Sequence, residues 1–186
     1  MKKQPEITDA TRQAFIDVFC EYYLERPIEK ITVKEISEKA GYSRVTFYNY
    51  FKDTYDILNY IEEDFISYIA REIVSNIEQD KKFKGYIVTF IRIMSGRERY
   101  NQVLLNNPNN TRFVNRLKTR LIPLFINAFN LSFDNKKAIY IFEFYIPGII
   151  SVISQWMKNN RDVSIEELAE VVEGILKNGV LAQLEA

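Results

Sequence analysis

The chain has 186 residues, no histidine and a single cysteine, Cys20. Without histidine it lacks the commonest general base and the commonest metal ligand, so a His-coordinated metal is excluded. With one cysteine, an internal disulfide is excluded as well. There is no glycine-rich phosphate loop, no Ser or Cys nucleophile with a base at hand, and no metal-ligand spacing. An enzyme would have no machinery here, and neither a metal nor a resident cofactor is expected.

Charge of one sign is missing too. The 25 basic and 25 acidic residues cancel, so any binding to nucleic acid must rest on a local patch rather than on whole-chain attraction. The N-terminus, MKKQPEITDATRQ, has no apolar h-region, which argues against export and places the protein in the cytoplasm. The longest apolar run, Ala138 to Met157, is broken by Glu143, Pro147 and Gly148. It reads as a helix buried on all sides rather than a membrane span. Neither strand-like alternation nor an internal repeat is present, and 47% apolar content is ample for a core, so the chain is expected to be all-α.

The most informative segment is ITVKEISEKAGYSRVTFYNYFK, residues 31–52. Thr32 and Glu35 have capping-box spacing, and Ile31 and Ile36 have that of a hydrophobic staple, which predicts a helix from Val33 to Ala40. Gly41 suits a left-handed C-terminal residue. Ser43 then acts as a second N-cap, with Tyr42 and Phe47 as its staple. A second helix is predicted from Arg44 to about Phe51, with Phe47 and Phe51 on the inner face. Arg44, Val45, Thr46, Tyr48 and Asn49 lie on the outer one. That outer set has the chemistry of base reading: Arg pairs with guanine, Asn with adenine, and Thr or Val touches a thymine methyl, while Tyr hydroxyls bond phosphates. From Lys39 to Lys52 there are three basic residues and no acidic one.

The ordered pattern T-V-x-x-I-x-x-x-A-G-x-S-x-x-T-F-Y-x-Y-F-K resembles the DNA-binding domain of the TetR (TetR/AcrR) family of bacterial transcriptional regulators. The resemblance implies an N-terminal three-helix DNA-binding domain with a helix-turn-helix, plus a larger C-terminal helical ligand-binding and dimerisation domain. Residues 1–52 are assigned to the first and 53–186 to the second. Carried over position by position, the DNA-contact candidates are Thr32, Arg44, Val45, Thr46, Tyr48, Asn49, Tyr50 and Lys52, with Ser43 at the helix start counted among them. One position departs from the family pattern: Thr54 stands where a phosphate-clamping Lys is common, leaving a hydroxyl to bond phosphate without the charge.

Around this motif the apolar spacing predicts a first helix from about Thr8 to Glu25 and a long one from Thr54 to about Gln79. Further helices are expected at about 83–95, 98–106, 111–129, 135–158 and 164–184, separated by turn-forming stretches. The last opens with a Ser164/Glu167 capping box and carries Leu168, Val172, Ile175, Leu176 and Gly179 along one side, a stripe that asks for a partner. The resemblance supplies one: a homodimer through the last two helices, whose two reading helices address the halves of a near-palindromic DNA operator. The body is also expected to hold a small-molecule effector. Its pocket candidates are Tyr86, Phe90, Phe113, Phe125, Phe129, Phe142, Glu143 and Tyr145, although aromatics at helical spacing are more often plain core, and Glu143 is more simply an internal salt bridge or a dimer-edge residue. Ten basic residues and one acidic one between Lys81 and Arg120 allow an anionic effector. Repression is the default reading. The alternatives are an activator of the same fold and a helical DNA-binding or interaction protein without ligand sensing.

Overall fold

A computed structural model describes residues 5–79, 83–96, 98–105, 111–128, 131–132, 134 and 136–184, with the side chains of 5–8, 76–79, 83–87, 94, 98–99, 128 and 176–184 outside the description. The described residues form helices α1 (Pro5–Glu25), α2 (Val33–Ala40), α3 (Arg44–Tyr48), α4 (Thr54–Gln79), α5 (Phe83–Gly96), α6 (Glu98–Leu105), α7 (Thr111–Ala128), α8 (Lys136–Lys158) and α9 (Ile165–Leu184), with a short 3-10 turn at Ile28–Lys30. No strand occurs among them.

The head is built on α1. Its buried face, Phe15, Ile16, Phe19 and Cys20, receives Ile36 from α2 and Phe47 from α3. Phe15 is the hub, with its ring 5.3 Å from Tyr42, 5.2 Å from Phe47 and 6.0 Å from Tyr50. Helices as short as α2 and α3 are marginal in isolation, and this aromatic floor provides the burial that holds them. In the body, α5 packs against α4, α8 and α9, while α7 packs against α4 and α8. The single helix α4 runs from the head into this body.

Three expectations change. The reading helix ends at Tyr48 rather than Phe51. Its last turn tightens, with Tyr50 and Phe51 both donating their amides to the Phe47 carbonyl, at 2.9 and 3.0 Å, because the chain must turn at once into α4. Second, α8 is not buried on all sides: within the long apolar window of Lys136–Lys158 only 28% is buried. Ile146, Ile150, Ile153 and Trp156 face the core, whereas Tyr140, Ile141 and Phe144 are 72%, 51% and 67% exposed. Third, the first part of the α9 stripe is already covered, since Leu168 and Val172 are buried in the protomer's own core, Ile175 is half-buried and α9 packs on α5. Leu176 and Gly179 of that stripe lie outside the described side chains.

The α8–α9 turn is held by specific bonds. Asn160 and Arg161 both have positive φ, 57° and 59°, a conformation that is costly for an arginine. Its amide donates to the Trp156 carbonyl at 2.9 Å and its guanidinium to the Ser95 carbonyl at 3.2 Å. The Trp156 indole N–H in turn donates to the Val163 carbonyl at 2.8 Å. The turn thus ties the C-terminal end of α5 to α8 and α9.

Candidate nucleic-acid interface

The corner between α2 and α3 forms as its residues dictate. Thr32 Oγ1 accepts from the Glu35 amide at 3.2 Å, and Glu35 Oε2 accepts from the Thr32 amide at 3.1 Å, a complete capping box. Gly41 takes the left-handed conformation, φ 78° and ψ 25°, which an L side chain rarely adopts. Ser43 then caps α3, its hydroxyl accepting from the Thr46 amide at 3.0 Å. An equivalent box closes the start of α9: the Ser164 amide donates to Glu167 at 2.8 Å, and the Glu167 amide to the Ser164 hydroxyl at 3.2 Å.

These caps have a pH signature. The Thr32 hydroxyl, then the Thr32 amide and Arg26, hold the Glu35 carboxyl below its ordinary value of 4.5. The Ser164 amide and hydroxyl do the same for Glu167. A carboxyl depressed in the folded state contributes stability that is present above its unfolded pKa and is lost as pH falls through its lower folded value. Thermal melts of the wild type against Glu35→Ala and Glu167→Ala are therefore expected to differ at neutral pH and to converge as acidification protonates these carboxyls in the folded state. Differences that persist unchanged in acid would show that these carboxyls stabilise by something other than capping.

Of the expected contacts, α3 presents Arg44, Val45, Tyr48 and Asn49 together on its exposed face. Val45 and Tyr48 are 75% and 59% exposed while Phe47 between them is fully buried. A valine left that far out on a helix contributes nothing to the protomer's core. The others are placed differently. The Thr46 hydroxyl lies 3.0 Å from that of Ser43, so both belong to the cap. The Thr32 hydroxyl donates to Glu35 Oε2 at 2.6 Å. Tyr50 is half-buried against Phe15, with the Arg12 guanidinium 5.9 Å from its ring. Lys52 is exposed, and its amide donates to Asp56 at 3.0 Å.

Two features of the local charge were hidden in the sequence. Lys39 is paired with Glu21 of α1 at 2.5 Å, a hydrogen bond that raises its pKa above the ordinary lysine value. Among the described residues, no carboxylate is paired with Arg44 or Lys52, the other two cations of the 39–52 segment. Thr54 is buried, 6% exposed, which overturns the expectation that its hydroxyl meets a phosphate. The acceptor at the start of α4 is Asp53 instead, which receives the Asp56 amide at 2.8 Å, and the first helical residue turns inward.

Among the described residues the body candidates have different surroundings. Phe90 and Phe113 are core residues, the latter stacked on Phe65 at 6.0 Å. Phe125 and Phe142 stack on each other at 5.5 Å across α7 and α8, and Tyr145 meets Phe144 edge-on at 5.2 Å. The Tyr86 side chain and all of Phe129 lie outside the described residues. Glu143 is ion-paired with Lys118 at 2.5 Å, on the rim of a cavity of about 330 Å³ lined by Asn115, Lys118, Thr119, Ile122, Pro123 and Glu143. Among the described residues, four of the ten basic side chains of this region are paired with carboxylates, Lys118 being one of them. Arg92 pairs with Glu166 at 3.7 Å, Arg112 with Glu62 at 3.7 Å, and Arg116 with Glu62 and Glu63. The sequence offered no sign of these pairs, because the α4 and α7 partners lie some fifty residues apart.

Residues 7–61, the capped motif and its α1 floor, match the family model described as bacterial regulatory proteins of the tetR family, and residues 81–178 match a transcriptional regulator C-terminal region of TetR type. The chain belongs to the TetR family. The TetR-type fold extends over nearly the whole chain. The fatty acid degradation regulator FadR from Bacillus halodurans superposes with a TM-score of 0.71 at 16% identity, covering 97% of this chain and 98% of that one. A TetR-family regulator from Syntrophomonas wolfei gives 0.70 at 18% identity, covering 89% and 92%. FadR from Bacillus subtilis, in complex with stearoyl-CoA, gives 0.63 at 20% identity, covering 90% and 98%. No protein of curated function matches the chain in sequence.

Proposed function

We propose that this chain is a homodimeric transcriptional repressor that reads a near-palindromic operator with α3 and is modulated by a small-molecule effector held in the body. The observation that carries the reading is the α3 surface. Arg44, Val45, Tyr48 and Asn49 stand together in solvent, on a helix whose other side is anchored through buried Phe47. In a major groove Arg44 would pair with a guanine and Asn49 with an adenine, Val45 would pack on a thymine methyl, and the Tyr48 hydroxyl would bond a phosphate.

Dimerisation supplies the second half-site, since two reading helices set about 34 Å or a multiple apart match successive turns of one DNA face. The apolar face of α8, with Tyr140, Ile141 and Phe144 exposed, is the natural contact, joined by exposed Val171 of α9. It also accounts for the membrane-like hydropathy of α8 without a membrane, because one side meets the core and the other a second copy. A regulator of this kind works in the cytoplasm, where the DNA is.

The effector would act by favouring one arrangement of α4 over another, and it shifts DNA binding only as far as its affinities for the two arrangements differ. The fold is shared with a regulator solved with stearoyl-CoA, which makes a long apolar effector reasonable for this body. The described cations Arg92, Arg112, Arg116 and Lys118 are already paired with carboxylates.

The test is a gel-shift titration on the DNA upstream of the protein's own gene, against an unrelated fragment at physiological salt. Tight, competitor-resistant binding is expected. Arg44→Ala should then cost about 1–3 kcal/mol on the operator and relax the preference at one base pair. An equal loss on every sequence would make Arg44 a phosphate contact, and equal weak binding to both fragments by the wild type would remove the reading.

A further inference from the structure

Asn101 lies on α6, is fully buried at 0% exposure, and has no hydrogen-bond partner for either its amide nitrogen or its carbonyl oxygen. Folded proteins rarely leave such groups unpaired, because each has lost its hydration without return. The other unpartnered buried side-chain atoms among the described residues are single ones: Arg26 Nε, Ser37 Oγ and Ser154 Oγ. Only Asn101 keeps a donor and an acceptor side by side. Its helix packs against α1 of the head, against α4, and against α5. The unpaired amide therefore sits on the element that touches the DNA head, the connecting helix and the body together.

We infer that Asn101 is the internal anchor for a neutral polar group on the effector, one that sets an acceptor beside a donor: a lactam, a primary amide or an un-ionised carboxylic acid. This rests on the ligand-regulated reading above and names the chemistry the ligand must carry. A carboxamide presents an N–H and a C=O in one plane, and its complement is a group offering the reverse pair at the same spacing. Charge in the ligand would be disfavoured. Asn101 is itself uncharged, so an ion buried against it would gain no counter-charge from it. The remainder of such a ligand is apolar, to match the buried side chains that α6 adds to the core, Val103, Leu104 and Leu105. A ligand so bound would pin α6 against α1 and α4, giving the head a direct contact with the occupied state.

The experiment uses the full chain with octanamide and N,N-dimethyloctanamide, which share an apolar tail but differ in the donor. Affinity is read by calorimetry and by melting shift. Octanamide is expected to bind the wild type and to lose about tenfold or more in affinity on dimethylation, and by a similar factor in Asn101→Leu. Without ligand, Asn101→Leu should melt about 2–6 °C higher, because the unpaired amide is gone. Equal binding of the two amides, undiminished binding to the variant, a lowered melting temperature of the variant, or binding of neither probe, which would mean a buried water only, each overturns the inference. Should Asn101→Leu not fold, the comparison of the two amides on the wild type still decides. A parallel gel shift separates the failures: operator binding without selective amide uptake sinks this inference alone, whereas selective uptake without operator binding sinks the regulator reading alone.

Discussion

Phe144→Glu is expected to convert the protein from dimer to monomer and to lower its operator affinity by about three orders of magnitude, to the level of non-specific binding. Phe144 is 67% exposed in the protomer, flanked by Tyr140 and Ile141, so the substitution should leave the helical content of a single chain intact. Two carboxylates facing each other across a two-fold apolar contact would be desolvated without counter-ions, which an isologous interface repeats on both sides. Sedimentation analysis reads the oligomeric state and a gel shift reads the affinity. A variant that remains dimeric would move the interface away from α8. One that becomes monomeric yet binds the operator as before would remove the need for a dimer in DNA reading.

The second large effect is expected at Arg116. Its guanidinium bonds Glu62 and Glu63 of α4, and the Glu62 side chain is only 4% exposed. Removing one partner of a buried pair leaves the other charge stranded. Arg116 itself is 32% exposed, and Arg112 remains 3.7 Å from Glu62, so the cost of Arg116→Ala is put at about 2–4 kcal/mol, below the full burial value. In a chain of this size that lowers the melting temperature by roughly 5–12 °C. The double variant Glu62→Leu with Arg116→Met should recover much of the loss, since replacing both ions by apolar groups removes the stranded charge. Failure to recover would assign the loss to packing rather than to charge. Because this bridge joins α7 to the helix that enters the head, the double variant also tests coupling. If α4 reports ligand binding through α7, operator binding should survive and its response to ligand should weaken.

The head was readable because its signals are local. Thr32, Glu35, Gly41 and Ser43 act on residues three or four positions away, and capping chemistry is nearly independent of the rest of the molecule. Accordingly α2 runs over Val33–Ala40 as its caps require. The end of α3 was less legible, since Phe51 keeps helical spacing with Phe47 and its ring lies 5.9 Å away, while the path into α4 is set by where that helix docks. Thr54 illustrates the same limit. Its residue type suits a surface or an interior, and only the placement of α4 against the head core turned it inward.

The sequence by itself determined the helical class, the capped corner, the exposed outer face of α3 and the absence of disulfide and histidine chemistry, because these follow from residue type and short-range spacing. Tertiary structure decided which charges are spent and which apolar faces remain. It joined Lys39 to Glu21, Lys118 to Glu143, and Arg116 to Glu62. It buried Leu168 and Val172 of α9 and left Tyr140, Ile141 and Phe144 of α8 in solvent. It also buried the Asn101 side-chain amide without a hydrogen-bond partner. The physical reason is distance along the chain: an ion pair or a buried face depends on which helix arrives beside it, and nothing within one helix specifies its neighbour.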